Sequence, residues 1–210
     1  MIDVISDEAF ERVKLILHGV PGGAEKALRG IISRATTTVR SKSLEGITSV
    51  YDIKAKDVRD RQNTTINMRT KKADGGIVGE VNFSGGKIPL YRFGVTPKQP
   101  KAQGTKVPVK FGDRWVMLAP GAPVKARQRK DKGKTKFHNV FIAKMKSGHI
   151  GMFERSGFDR FPITEIMGVS TPQMAADSVV LEKVEAAAEE TIVKRTEQEI
   201  TRILHGYGGK

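Results

Sequence analysis

Thr64-Thr65-Ile66-Asn67-Met68-Arg69-Thr70, then Asp74-Gly75-Gly76, then Ile77-Val78-Gly79-Glu80-Val81-Asn82-Phe83: in this stretch the apolar spacing falls to two. Alternation of that kind puts Ile66 and Met68 on one side of an extended chain, and the Asp-Gly-Gly triplet supplies the turn for a return strand. The segment therefore reads as a β-hairpin. Because its flanks at both ends of the chain read as helix, the hairpin fixes the fold class as α+β.

Upstream, Phe10, Val13, Ile16 and Leu17 recur at helical spacing from Ser6 onward, with Asp7 and Glu8 at the positive end of the helix dipole. This helix is expected to stop near His18-Gly19. After the turn Val20-Pro21-Gly22-Gly23, the residues Ala24, Ala27, Leu28, Ile31, Ala35 and Val39 mark one face of a longer helix, so an N-terminal helical hairpin is predicted. The other face carries Lys26, Arg29, Arg34 and Arg40, followed by Lys54, Lys56, Arg59 and Arg61. Between Arg29 and Lys72 there are 11 basic and 4 acidic residues, which reads as a solvated helix face or as a polyanion contact.

Downstream, Ser84-Gly85-Gly86 is a second turn, and Ile88-Pro89-Leu90-Tyr91-Arg92-Phe93 reads as a strand end or edge because proline cannot donate to a ladder. Residues 96–106 read as an extended loop. Val107 to Phe111 and Trp115 to Leu118 have strand composition. Residues 125–136 read as a second loop, with Lys125, Arg127, Arg129, Lys130, Lys132, Lys134 and Lys136 against the single acid Asp131, a segment not expected to pack internally. Val140 to Ala143 and Ile150 to Phe153, around Lys146-Ser147-Gly148, form another predicted hairpin. The middle of the chain is thus a mostly antiparallel sheet or a small barrel with long loops.

Ser170-Thr171-Pro172 is a helix start, and a helix to about Leu204 with Gly206 as its stop is predicted, approaching about 50 Å if unbroken. Its apolar stripe is Val180, Val184, Ala187, Ala188, Thr191, Ile192, Ile200, Ile203 and Leu204. Between Pro172 and His205 there are 7 acidic and 4 basic residues, in a chain whose formal charge is +14. That opposition suits head-to-tail contacts between copies. The expected organisation is a helical region at 1–61, a β-rich body at 62–169 and a helical end at 170–210, forming one domain with extensions.

A charge of +14 attracts acidic surfaces, nucleic acid or anionic membranes. Cys 0 removes disulfides, thiolate metal sites and a cysteine nucleophile, and fits assembly in a reducing cytoplasm. The opening residues lack the basic and apolar pattern of a signal peptide, and no apolar run approaches the roughly 20 residues of a bilayer span. No export signal and no membrane partner are expected.

The chemistry-bearing residues assemble into no recognisable reaction site. His18, His138, His149 and His205 are scattered, and a meeting of His138 with His149 across the predicted hairpin lacks a third ligand. Gly133-Lys134-Thr135 resembles the end of a phosphate loop, but Gln128 stands where the leading glycine belongs and no strand-to-helix context surrounds it. Ser147-Gly148 and Ser156-Gly157 lack the flanking glycines of a nucleophile elbow. Glu189-Glu190 and Glu197 with Glu199 sit on a charged helix, where a solvated face explains them. No catalytic residue, metal or cofactor is expected. The lysines of 125–136 suit phosphate contact without base readout, so a basic DNA-binding protein without sequence specificity is the alternative function.

Four stretches then acquire meaning by their order. They are Ile53-Lys54-Ala55-Lys56-Asp57-Val58-Arg59, Ile88 to Phe93, Phe141-Ile142-Ala143-Lys144-Met145 continuing to Gly151-Met152-Phe153-Glu154-Arg155, and Phe161-Pro162-Ile163-Thr164-Glu165-Ile166 ending in Ser170-Thr171-Pro172-Gln173-Met174. In this arrangement the chain resembles the phage minor tail protein Z family, with the basic 125–136 loop longer and more charged than the family pattern. The resemblance implies a structural tail-completion or neck component without catalysis, placed at the head-proximal end of the tail in the virion after assembly in the host cytoplasm. Its implied partners are copies of itself in a ring, a hexamer by expectation, the tail terminator or tail tube, head-neck proteins and packaged DNA. Arg155 and Arg160 are expected to bridge to carboxylates such as Glu182 or Glu185 of a neighbouring subunit.

Overall fold

The computed structural model describes residues 2–4, 7–73, 76–100, 107–111, 113–118, 124–137, 140–155 and 162–206; for 2–4, 7, 8, 73, 76, 107–111, 114, 116–118 and 155 it describes the backbone only. In chain order these form β1 (Ile2–Val4), α1 (Asp7–Ile16), α2 (Gly23–Val50), α3 (Ala55–Val58), β2 (Thr65–Ala73), β3 (Gly76–Ser84) and β4 (Lys87–Pro89). A 3-10 turn at Leu90–Arg92 precedes β5 (Val107–Phe111), β6 (Arg114–Leu118), β7 (Val124–Ala126), β8 (Thr135–Phe137), β9 (Val140–Lys144) and β10 (Ile150–Arg155). The chain ends in β11 (Ile163–Glu165), β12 (Met167–Ser170), α4 (Thr171–Ala175) and α5 (Ser178–Leu204).

The α+β class holds, and every strand pairing among the described residues is antiparallel. Of the two arrangements open to the sequence, sheet is correct and barrel is not. The strands fall into small open sheets, the largest with three strands, and closure requires the first and last strands of one sheet to meet. The predicted hairpin of β2 and β3 runs in unbroken register from Thr65 opposite Ser84 to Ala73 opposite Gly76, while Asp74 and Gly75 lie outside the described residues. β1 adds to its other edge through β3, and β11 adds to β10; both are three-residue strands too short to show alternation.

The chain forms two compact units, each assembled from separated segments. The first comprises Met1–Ile47, Arg59–Gly85 and Thr171–Lys210. Within it α2 and α5 run antiparallel: the backbone at Gly23 faces Ile203, Gly30 faces Glu199 and Gly46 faces Val180. The missing side chains at those three positions leave room for Ile203, Glu199 and Val180 of α5 against the α2 backbone. α5 turns Val180, Val184, Ala188, Ile192, Thr196, Ile200 and Ile203 inward, and each large aliphatic contributes roughly 1.5–3 kcal/mol by leaving water. Ala9, Phe10, Leu28, Ile31, Ile32 and Ile192 converge where α1 joins these two helices. On α2, the β3 backbone at Gly79 rests against Ile32 and Thr36, and Ile77 and Val81 are buried on the same face of the sheet. The Thr36 hydroxyl donates to the Ile32 carbonyl at 2.7 Å, which satisfies a polar group buried at that crossing.

The last helix is not continuous, which corrects the sequence reading. Asp177 adopts an extended backbone (φ −63, ψ 132) and its carboxylate accepts from the Val179 amide at 3.1 Å, so α5 begins afresh with an aspartate N-cap. At the other end Gly206 takes φ +75 and its amide donates to Ile203 at 3.1 Å, the glycine stop expected from sequence. Leu204 falls outside the buried stripe and is exposed.

The second unit comprises Thr48–Val58 and Gly86–Ser170. β4 pairs with β12, and the Leu90 amide donates to Ile166 while the Ile166 amide donates to Met152, lacing the 3-10 turn to the β9–β10–β11 sheet. Ile88, Leu90, Phe93, Val95, Met152 and Phe153 form its core. Phe93 packs over Gly168, which explains why Ile88 to Phe93 reads as strand yet ends in a turn: its apolar residues serve a core and not an alternating face. Gly148 at φ +85 makes the turn between β9 and β10.

Candidate functional site

The segment expected to be an unpacked basic loop is a braced hairpin, and this is the largest correction the structure makes. β7 and β8 pair from Val124 opposite Phe137 to Ala126 opposite Thr135, with Val124 and Ala126 buried. The free side of β7 is taken by residues 94–96: Thr96 and Lys125 exchange both backbone hydrogen bonds at 2.8 Å, and Gly94 exchanges both with Arg127 at 3.2 Å. Beyond β7 the chain pairs with the end of α2, the Asp52 amide donating to Gln128 and the Lys130 amide to Val50, each at 2.8 Å. Basic side chains obscured this arrangement because their charge says nothing about the backbone pairing beneath them.

Of the seven cations predicted as a contact surface, four are engaged within the unit. Arg127 places Nη2 at 2.7 Å and Nε at 2.9 Å from Asp52 Oδ2. Arg129 lies 5.4 Å from the centre of the Tyr51 ring and donates through Nε to Asp131, whose carboxyl it holds below its ordinary value. Lys130 donates to the Thr48 carbonyl at 2.6 Å, and Lys134 to the Thr96 hydroxyl at 2.6 Å. Lys125, Lys132 and Lys136 make no side-chain hydrogen bond or ion pair among the described residues. The seven cations therefore divide into four that hold the hairpin and three that do not, of which Lys125 is half-buried and Lys132 and Lys136 are exposed. Asp52, Tyr51 and Thr96, which complete the brace, carried no sequence signal, since all three lie far along the chain from 125–136.

The opposing surface is the first half of α5. Glu182, Glu185, Glu189 and Glu190 are exposed there, with Lys183 the one base between Ser178 and Val193. Glu182 and Glu185 have no ion-pair partner among the described residues. On α2, Lys42 donates to Glu45 at 2.8 Å and depresses its carboxyl, with a smaller contribution from Lys183. The second half of α5 is internally neutralised: Arg202 pairs with Glu199 and Arg12 of α1 with Glu197, both at 2.5 Å. Acidity is thus concentrated on a patch and does not extend along the whole helix.

Of the two arginines predicted to bridge subunits, Arg155 ends β10 opposite Ile163, with its side chain outside the described residues, and Arg160 lies outside them altogether. His138 also lies outside. His149 Nε2 sits 2.8 Å from Glu165 Oε1, and its ring stands edge-on to Phe153 at 6.3 Å, a pair that fastens the β9–β10 turn to β11. No group of three or more residues able to hold a metal ion occurs among the described residues. No helix is long and apolar enough to cross a membrane among them. Trp115, the single tryptophan, was read as strand; it lies on β6 and is exposed.

The described residues thus present a braced basic hairpin and an acidic patch on the first half of α5. The family model described as prophage minor tail protein Z (GPZ) matches residues 17–207, and the chain belongs to that family. It is a structural phage-tail protein and a virion component that meets other virion components. No curated protein and no solved structure matches it.

Proposed function

We propose that the chain is a tail-completion subunit: copies form a ring, sixfold to match a tail tube, at the head-proximal end of the tail and help join tail to head. It acts without catalysis. The observation that carries this reading is the exposed acidic patch of α5 on a chain of charge +14, for opposed surfaces at different places on one molecule favour heterologous rings. Family membership supports the tail role. The neighbours in this reading are the tail tube or terminator on one side and head-neck proteins on the other, with non-specific contact to the DNA that passes through. Cryo-EM of intact particles is the test. Density for this chain as a ring between head and tail tube is expected, and its presence only at the distal tip, or its absence from virions, overturns the proposal.

The second reading, a basic DNA-binding protein, draws on Lys125, Lys132 and Lys136, the outward cations of the hairpin. Engagement of the other four cations leaves a smaller phosphate-contacting surface than the composition of 125–136 suggests.

A further inference from the structure

The braced hairpin carries a row of positive charge that its own unit leaves unanswered. Val124 and Ala126 are buried, so alternation turns Lys125 to the opposite face, and Lys136 stands directly across from it in register. On the other side Lys125 pairs with Thr96, whose hydroxyl accepts from the Lys134 ammonium at 2.6 Å. The charges of Lys134, Lys125 and Lys136 thus belong to three adjacent extended segments, residues 94–96, β7 and β8, which step by about 4.8 Å. Like charges directly opposite one another destabilise a sheet, and the hydroxyl that Lys134 meets is neutral. Asp52, whose carboxylate lies over Gly94 on this face, is already taken by Arg127. The face lacks anions.

On α5 carboxylates stand at a matching interval. Glu182, Glu185 and Glu189 are exposed and lie within about 60° of one another round the helix, at successive rises of about 4.5 and 6 Å. None of the three makes a side-chain hydrogen bond or ion pair among the described residues. Lys183 stands about 100° or more from each of them, and its charge acts on Glu45 of α2, while Glu190 acts on Lys42. The flank towards α2 is therefore neutralised, and the strip of three glutamates is not.

We propose that the sheet face bearing Lys125, Lys134 and Lys136 in one copy seats on the Glu182–Glu185–Glu189 strip of α5 in the next copy, with the helix lying across the strands. Charge and length select this occupant. The row of cations spans two strand steps and the strip spans seven residues of helix, about 10 Å in each case, so each carboxylate meets one ammonium. Duplex DNA fits less well, because Asp52 at one end of the row and Asp131 in the turn set carboxylates where a phosphate backbone would continue. Pairing of α5 with a second α5 sets glutamates against glutamates and is disfavoured. The contact is heterologous, each copy offering a hairpin and accepting another on its helix, and it therefore propagates around a ring. This inference rests on the ring reading and specifies the contact that closes the ring.

The test uses the full chain, native mass spectrometry, and carbodiimide coupling, which joins an amine to a carboxylate only where the two touch. Wild type is expected to oligomerise with rising concentration. In an equal mixture of isotope-labelled and unlabelled protein, peptides holding Lys125 or Lys136 should couple to the peptide of Glu182 to Glu189, with one half labelled and the other not. Couplings confined to single copies overturn the proposal. Lys125→Glu with Lys136→Glu weakens association by about 100-fold, as does Glu185→Lys with Glu189→Lys, each with an unchanged circular dichroism spectrum. Mixing the two charge-reversed proteins in equal amounts restores assembly, because every hairpin then faces a helix of opposite sign; this arm guards against variants that misfold. Rings that survive both reversals overturn the contact and leave the ring standing. So does a hairpin variant that assembles normally but no longer binds duplex DNA, which assigns the face to DNA. A wild-type chain that remains monomeric at every concentration overturns both contact and ring.

Discussion

Arg127 and Asp52 meet across 75 positions of sequence, two guanidinium nitrogens converging on one carboxylate oxygen at 2.7 and 2.9 Å. Gly94 makes this possible, since a Cβ there would fall on the Asp52 carboxylate. The pair ties the basic hairpin to the segment that leaves α2. Because both side chains are about one-third exposed, solvent screening reduces its value well below that of a buried pair. Asp52→Ala is expected to destabilise the chain by about 1 kcal/mol by urea titration. It should also speed amide exchange at Lys125 and Arg127, and unchanged exchange there would remove the bracing role.

Arg92 and Asp57 form the more consequential ion pair. Nη1 lies 2.7 Å from Oδ1, and the Asp57 side chain is only 7% exposed. Removing the arginine leaves a buried carboxylate without its cation, whereas removing both leaves no charge behind. Arg92→Ala should cost about 2 kcal/mol, and Arg92→Ala with Asp57→Ala less than the sum of the single changes. A double-mutant cycle by chemical denaturation measures this, and additivity would show that the two do not interact.

Gly79 sits where β3 crosses α2. An added Cβ meets Thr36 Oγ1 and comes within 2.8 Å of Ile32 Cγ2, both on a buried helix face. Neither side chain has room to withdraw, so Gly79→Ala is expected to cost about 2 kcal/mol through overpacking. Gly133 has nothing within 4 Å of the same atom, and Gly133→Ala should leave the melting temperature nearly unchanged. Equal melting temperatures for the two variants would mean that the sheet does not rest on α2 at Gly79.

Stability should fall in acid through identifiable carboxylates. Glu25 is held below its ordinary value of 4.5 chiefly by a hydrogen bond from Lys72, which carries β2 to the start of α2. A carboxyl depressed in the folded state binds its proton less readily than in the unfolded chain. Its contribution is therefore present above the ordinary carboxylate value and is lost as pH falls through the lower, folded one. The urea midpoint should decline below about pH 4.5, and Glu25→Gln should flatten that decline; an identical pH profile for the variant would exclude the pair as a contributor.

The sequence conveyed what local spacing encodes. Phe10 and Val13 on α1 with Leu17 just beyond it, the alternation of β2 and β3, and the Val180 to Ile203 stripe are all visible because one face of each element is buried. What escaped it depends on distant partners. The division of the long helix turns on one capping aspartate, Asp177, in a stretch whose apolar residues suggest continuity. β1 and β11 exist by pairing with strands at other places in the chain. The interleaving of the two units has no local signature, because the passages fall within the last turn of α2, after α3, between β3 and β4 and where β12 meets α4. For the candidate site, composition located the basic and acidic segments but not which cations are engaged: Lys125 and Arg127 look equivalent in sequence, and only the fold supplies Asp52 to one of them.

That difference allows the basic hairpin to be tested for polyanion contact without disturbing its fold. Lys125, Lys132 and Lys136 make no side-chain hydrogen bond or ion pair among the described residues, while Arg127 and Arg129 hold the hairpin in place. Replacing the three lysines by Gln should leave the urea midpoint within about 0.5 kcal/mol of wild type, as for surface substitutions generally. If DNA passes against this surface, affinity for duplex DNA falls, and the salt dependence flattens by about 0.9 for each lysine that neutralised a phosphate. Arg127→Gln instead lowers stability first, and its effect on binding should follow the loss of structure. Fluorescence anisotropy at several salt concentrations distinguishes the outcomes. Tight wild-type binding that survives the triple replacement would place the DNA contact away from this hairpin, and tight binding lost with it would favour a DNA-binding role over a tail contact made by protein alone.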